Sequence, residues 1–312
     1  MNLKPFENTQ LYEMNDFFKE IITLYNEKKM PTKILLSGKK GIGKSTLAYH
    51  IINYILSNTE NFKYNLNKLT INKENRSFKL LQNNSHPNFY LIDLLNDKKN
   101  IDVAQIREMI TYTNKSTFNN MPRLILIDNI ENLNKNSVNA LLKVVEEPNE
   151  NVFFILINNN EKYILPTLKS RCLTFNINFT FNQSMHISNK ILQENIFELI
   201  NPDLINYYNT PGEIINLINF SRDKNINLKE YTLITFLNLL IDNGYYKKDK
   251  FVKNLLINFI ELFFLKEYKL SNTNKTLLSY YHNFITKIHN TKKFNLDEES
   301  LFLEFKSKLL NG

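Results

Sequence analysis

The chain has 312 residues, 43% hydrophobic and 22% charged, the proportions of an ordinary soluble protein with apolar material for two or three cores. One cysteine, Cys172, excludes an internal disulfide and a multi-cysteine zinc site, and agrees with a reducing compartment. A net charge of +8 and a pI near 9.2 fit a polyanionic partner such as nucleic acid, while abundant Lys, Asn and Ile without any Trp fit a general compositional bias equally well.

Residues 1–30 read as a helical entry, with Leu11, Met14, Phe17, Phe18, Ile21, Ile22 and Leu24 at roughly helical spacing and Pro31 as the stop. The N-terminus lacks the apolar stretch and small-residue cleavage site of a secretory leader, which places the chain in the cytoplasm. Lys33–Ser37 is a short buried strand followed by a glycine loop and a helix carrying Leu47, Ala48, Ile51, Ile52 and Ile55 on one side. Residues 57–84 are polar and rich in Asn and Lys, and read as an irregular surface insertion with at most one short helix.

A strand is expected over 88–95. Asp102 and Gln105 then have the spacing of a capping box, opening a helix whose buried face is Val103, Ile106, Met109 and Ile110. Leu124–Asp128 is an unbroken apolar run closed by a carboxylate, the pattern of a central parallel strand. The next helix bears Val138, Leu141, Leu142 and Val145 and should end at Pro148, and residues 152–157 form another buried strand.

Strands alternating with helices imply an α/β core with a parallel sheet over residues 1–178. Beyond it the patterning is helical, with breaks at Pro202, Pro211-Gly212, Asn243-Gly244 and 272–274. These divide it into a small helical domain, 179–222, and a larger one, 223–312. The most apolar helical stretch, 255–265, is interrupted by Asn258 and Glu261 and reads as a core helix rather than a membrane span.

Gly38-Lys39-Lys40-Gly41-Ile42-Gly43-Lys44-Ser45, followed by Thr46, matches the Walker A pattern between a strand and a helix. Its glycines let backbone N–H groups turn toward phosphate, Lys44 can reach the β and γ phosphates, and Ser45 can ligate magnesium. Asp128 sits where a Walker B aspartate would complete the magnesium site; the plainer reading is a strand-end carboxylate capping a loop.

Asn139-Ala140-Leu141-Leu142-Lys143-Val144-Val145-Glu146-Glu147-Pro148, followed by Pro166-Thr167-Leu168-Lys169-Ser170-Arg171-Cys172, resembles the paired signature of bacterial replicative clamp-loader subunits, an AAA+ family. His86-Pro87, the run Ile101–Arg107 and Thr210-Pro211-Gly212 extend the resemblance over most of the first 215 residues and favour the delta-prime type; the C-terminal third carries no such motif. The resemblance implies an AAA+ P-loop core, a small helical lid and an all-helical collar that joins a hetero-oligomeric ring with other clamp-loader subunits. Through that ring it implies contact with the sliding clamp and primed DNA.

It also implies that Arg171 is an arginine finger reaching a neighbour's γ-phosphate, the plainer reading being an Arg paired with an acidic neighbour. ATP and magnesium are the implied ligands, with Asn158 near the position of the first sensor. Three departures mark the chain. Asn129 follows Asp128 where an active ATPase carries Glu, and an amide cannot act as a carboxylate base. Glu213 stands where motor subunits carry a sensor arginine and would repel phosphate. Residues 57–86 lack the four cysteines of the family's zinc module. The sequence therefore favours nucleotide binding over hydrolysis, with a self-hydrolysing loader or motor subunit as the alternative.

Overall fold

The computed structural model describes residues 4–95, 98–115, 121–146, 149–247, 249–270, 275–294 and 297–310. The described chain falls into two compact units, one of residues 1–192 with 210–219, the other of residues 193–209 with 220–312.

The first unit is built on five parallel strands: β1 (Lys33–Ser37), β2 (Phe89–Ile92), β3 (Arg123–Ile127), β4 (Val152–Asn158) and β5 (Leu173–Asn176), in spatial order β2-β3-β4-β1-β5. The interior strands are continuous apolar runs because the sheet is covered on both faces. Successive side chains point to opposite faces, so Ile34, Leu36, Leu124, Leu126, Ile155 and Ile157 join one core. Leu35, Ile125, Ile127, Phe154 and Leu156 join the other.

The first core is closed by α1 (Asn15–Asn26), whose Phe18, Ile21 and Ile22 are buried, and by α2 (Lys44–Leu56). The stretch between α2 and β2 departs from the expected surface insertion. It holds one short helix, α3 (Arg76–Gln82), but Tyr64, Leu69, Ile71, Phe78 and Leu81 are all buried in this core. The backbone is stitched down as well, with Leu11 N–H donating to the Leu69 carbonyl at 3.2 Å and Ile71 N–H to that of Thr9 at 2.9 Å. Five anchors at irregular intervals in a polar sequence leave no helix or strand period to read.

The second core packs α4 (Val103–Thr113) and α5 (Lys135–Glu146) on the sheet through Ile106, Met109, Leu141 and Val145. Asp102 and Gln105 form the expected capping box, the Gln105 side chain accepting from Asp102 N–H at 3.1 Å. The expected stops at Pro148 and 272–274 lie outside the described residues. One turn, α6 (Pro166–Lys169), precedes β5, and α7 (Phe181–Leu192) follows it.

The second unit contains α8 (Ile196–Leu199). α9 (Pro211–Asp223) begins among the residues of the first unit and is followed by α10 (Leu233–Asp242), α11 (Lys250–Leu270), α12 (Lys275–Phe294) and α13 (Glu299–Phe305). α11 is a core helix, as its interrupted apolar run predicts: Leu256 and Ile260 are fully buried and Phe259 meets Phe236 edge-on at 5.5 Å. Asp203 ties three elements of this unit, accepting from Leu233 N–H at the start of α10 and pairing with Lys266 of α11. Among the described residues no helix is long and apolar enough to cross a membrane.

Candidate functional site

Parallel strands deliver their C-terminal ends to one edge of the sheet, and residues drawn from four of them meet there. β1 ends at Ser37 and the chain turns through Gly38–Gly43 into α2. Gly43 holds φ at +99°, a value that L side chains rarely adopt, and as the N-cap of α2 it offers no side chain to the first-turn N–H groups. Those groups and the positive helix end are thereby left to an anion. Ile42 is buried beneath the loop, and Thr46 accepts a 3.4 Å hydrogen bond from Asn8.

Lys44 is 2% exposed and donates to the carbonyls of Gly38 at 2.9 Å and Lys39 at 2.6 Å. Burial lowers its ammonium pKa to about 8, against the opposing pull of Asp128 and Glu131. Ser45 Oγ donates to Asp128 Oδ2 at 2.5 Å, so the hydroxyl and carboxylate expected to share a magnesium ion are in contact. Burial also raises the Asp128 carboxyl to about 6, with Ser45 partly offsetting and the nearby Asp93 adding to the rise.

Asn129, immediately after Asp128, is left-handed (φ 56°) and is held by three hydrogen bonds. Its backbone N–H donates to Asp128 Oδ1 at 2.7 Å, its side-chain Nδ2 to Asp93 Oδ1 at 2.6 Å, and its Oδ1 accepts from Asn159 Nδ2 at 2.9 Å. An amide held this way is fixed in place by both of its polar atoms, and it carries no basic oxygen with which to take a proton from water. Asn158, at the end of β4, is 5% exposed and donates to Ser37 Oγ at 3.2 Å and Asn160 Oδ1 at 2.6 Å, so it is bonded across β1.

The segment carrying Glu213 lies against the glycine loop. Gly212 N–H donates to the Gly41 carbonyl at 2.9 Å, and a Cβ on Gly212 would fall 2.7 Å from Gly41 Cα. Glu213 accepts from Thr210 N–H at 2.9 Å while Thr210 Oγ1 accepts from Glu213 N–H at 3.3 Å, a reciprocal cap on α9. The carboxylate expected to face phosphate is thus bonded to the start of its own helix.

Arg171 follows α6 and is exposed. Its side chain is 38% accessible, and its guanidinium meets Glu146 Oε1 at 2.8 Å and donates to the Thr167 carbonyl at 2.8 Å. Both sequence-level readings have a counterpart here, an acidic partner at home and a guanidinium within reach of solvent. Next to it Cys172 is half-buried, and burial pushes its thiol up to about 11, so it stays protonated at neutral pH.

The sheet therefore assembles Lys44, Ser45, Asp128 and Asn158 at one edge and leaves Arg171 elsewhere on the surface. Asp93 and Asn159 are members of that edge not singled out by sequence reasoning, and the buried Glu131, two residues beyond Asn129, also belongs to it. Asp93 follows β2, which pairs in register with β3, the strand that ends just before Asp128, and only that pairing brings the two carboxylates together.

The strand order and the loop between β1 and α2 define a P-loop protein of the AAA+ class. A family model described as DNA polymerase III, delta subunit, matches residues 14–180, over half of the chain, and the chain belongs to that family, in its delta-prime branch. It is 28% identical over 297 residues to the DNA polymerase III subunit delta' of Buchnera aphidicola subsp. Schizaphis graminum, covering 89% of this chain and 84% of that protein. The DNA polymerase III subunit gamma of the same organism is 33% identical over 50% of this chain and 42% of its own length. Among solved structures, a DNA polymerase III gamma subunit-related protein of Thermotoga maritima superposes with a TM-score of 0.54 at 18% identity, covering 95% and 98% of the two chains.

Proposed function

We propose that this chain is a delta-prime-type subunit of a replicative clamp loader, one that binds nucleotide without turning it over and assists hydrolysis in a neighbouring subunit through Arg171. The observation that carries the first half is the pairing of an intact phosphate loop with Asn129 locked between Asp93 and Asn159. A magnesium nucleotide fits the residues present, since a buried ammonium, a hydroxyl and a carboxylate converge at the mouth of the loop. Lys44 and the loop's N–H groups would hold the phosphates, and Ser45 and Asp128 the magnesium ion, which when bound neutralises phosphate oxygens. Position 129 then offers no base for water.

The exposure of Arg171 supports the second half. A guanidinium spreads its charge over several donors and stabilises charge developing on a transferred phosphoryl group. Supplying it from next door makes hydrolysis depend on assembly. In this reading residues 179–222 act as a lid and residues 223–312 join the other loader subunits as a collar, while clamp and primed DNA are met through the ring. The test is a pair of measurements on the purified chain: calorimetric binding of magnesium nucleotide, and steady-state phosphate release. Binding abolished by Lys44→Ala with negligible turnover is the expected result; turnover comparable to a motor subunit would overthrow it.

A further inference from the structure

Glu131 is a buried carboxylate that the mechanism above does not use. It lies in the short turn after β3 and is 7% exposed. Its Oε2 accepts from the backbone N–H of Asn159 at 3.2 Å, and its Oε1 is enclosed without a hydrogen-bond partner among the described residues. A buried anion with half its acceptor capacity unused is costly unless a positive charge stands nearby.

The hydrogen bonds trace where that charge is. Asn159 follows Asn158, whose carbonyl accepts from Gly38 N–H at 3.2 Å, and the Gly38 carbonyl in turn accepts from Lys44 Nζ at 2.9 Å. Glu131 thus shares the Asn158–Asn159 peptide with the base of the phosphate loop, its carboxylate on the N–H side and Gly38 on the carbonyl side, and its charge favours the Lys44 ammonium. Asp128, which acts on Lys44 more strongly, Asp93 and Glu161 are further carboxylates at this edge, and each is already bonded, to Ser45, Asn129 and Lys40 respectively.

We infer that Glu131 is an internal counter-anion of the phosphate loop: it balances Lys44 while the loop is empty and repels the phosphates of an incoming nucleotide, holding affinity down. The inference rests on the reading of this loop as a nucleotide site and adds the residue that sets how tightly the site binds. Two like charges separated by roughly 6–16 Å in a partly buried setting interact by on the order of 1–3 kcal/mol, so neutralising one should tighten binding by about tenfold.

The experiment is calorimetric titration of the full chain with the slowly hydrolysed thio-analogue of ATP and magnesium, comparing wild type with Glu131→Gln, Glu131→Asp and Lys44→Ala. Glu131→Gln keeps an acceptor for Asn159 and should bind about tenfold tighter, while its nucleotide-free melting temperature falls because Lys44 has lost a counter-charge. Glu131→Asp, which keeps the charge, should bind within about threefold of wild type. Should the glutamine chain melt below the assay temperature, Glu131→Met tests the same sign without a second amide. Wild-type binding that requires Lys44 but is unchanged or weakened in the neutral variants overturns the assignment of Glu131 and leaves the nucleotide site standing. Binding insensitive to Lys44→Ala, or no binding by any variant at millimolar ligand, overturns both.

Discussion

Replacing Arg171 by alanine sets two energies against each other. At home the guanidinium makes one ion pair, to Glu146, and one hydrogen bond, to the Thr167 carbonyl, both at an exposed surface. Exposed pairs of this kind contribute about 0.2–1 kcal/mol, so the free Arg171→Ala chain should melt within a few degrees of wild type. An arginine delivered to a neighbour's phosphoryl group is worth about 10³–10⁵ in turnover, or about 4–7 kcal/mol at 1.36 kcal/mol per decade. In the proposed role the gain in the transition state outweighs the cost of breaking the contact with Glu146, so the home ion pair does not cancel it. The assay is primed-DNA-stimulated ATP hydrolysis by the reconstituted assembly, with subunit co-elution as the control. Hydrolysis at the adjacent site should fall by at least about 100-fold with assembly intact, and Arg171→Lys should recover little because an ammonium lacks the planar fork. Unchanged turnover, or a loss that merely tracks failure to assemble, would refute the reasoning.

Three further outcomes follow from the geometry. Gly212→Ala places a methyl 2.7 Å from Gly41 Cα and 2.9 Å from its carbonyl oxygen; the loop must shift, and calorimetry should show nucleotide affinity reduced by about tenfold or more, the strain being of order 1–3 kcal/mol. Asn129→Asp sets a carboxylate against Asp93 in place of a 2.6 Å hydrogen bond, lowering stability by about 1–3 kcal/mol in urea denaturation, a loss that Asp93→Asn should relieve. His50 and His86 are buried, and burial depresses both pKa values to about 4. His50 Nε2 meets the Asn8 carbonyl at 3.1 Å and so carries the proton, leaving Nδ1 to accept from Tyr64 at 2.8 Å. A depressed histidine binds its proton more readily when unfolded, so its stabilising effect is complete above pH 6.5 and is lost as pH falls toward 4. For His50 alone the loss approaches about 3 kcal/mol, and a mutant with His50→Gln should flatten the decline of melting temperature across that window.

The sheet was readable because β1, β3 and β4 are buried nearly throughout and so appear as unbroken apolar runs. β5 was not, since only Phe175 of its four residues is buried and an edge strand of that length has no period to detect. Lys44, Ser45 and Asp128 could be grouped from the sequence because a spacing rule connects loop and strand, and the structure brings them together. The loss of a carboxylate at 129 was equally plain, but the partners that immobilise Asn129 come from positions 93 and 159, which only strand order brings together. Glu213 carries a different lesson. Thr210 and Glu213 have the spacing of a capping box, and local hydrogen bonding claimed a side chain that motif comparison had placed against phosphate.

The buried anchors between α2 and β2 bear on how such a chain can change over time. Tyr64 stacks on Phe18 at 5.0 Å and meets His50 edge-on at 5.5 Å, so a stretch dominated by Asn and Lys helps seal one side of the sheet. Its exposed polar positions are free to drift with the composition of the genome that encodes them, whereas the five apolar ones and the buried Asn75 and Ser77 are not. Deleting the segment as dispensable low-complexity sequence would open the first core to water.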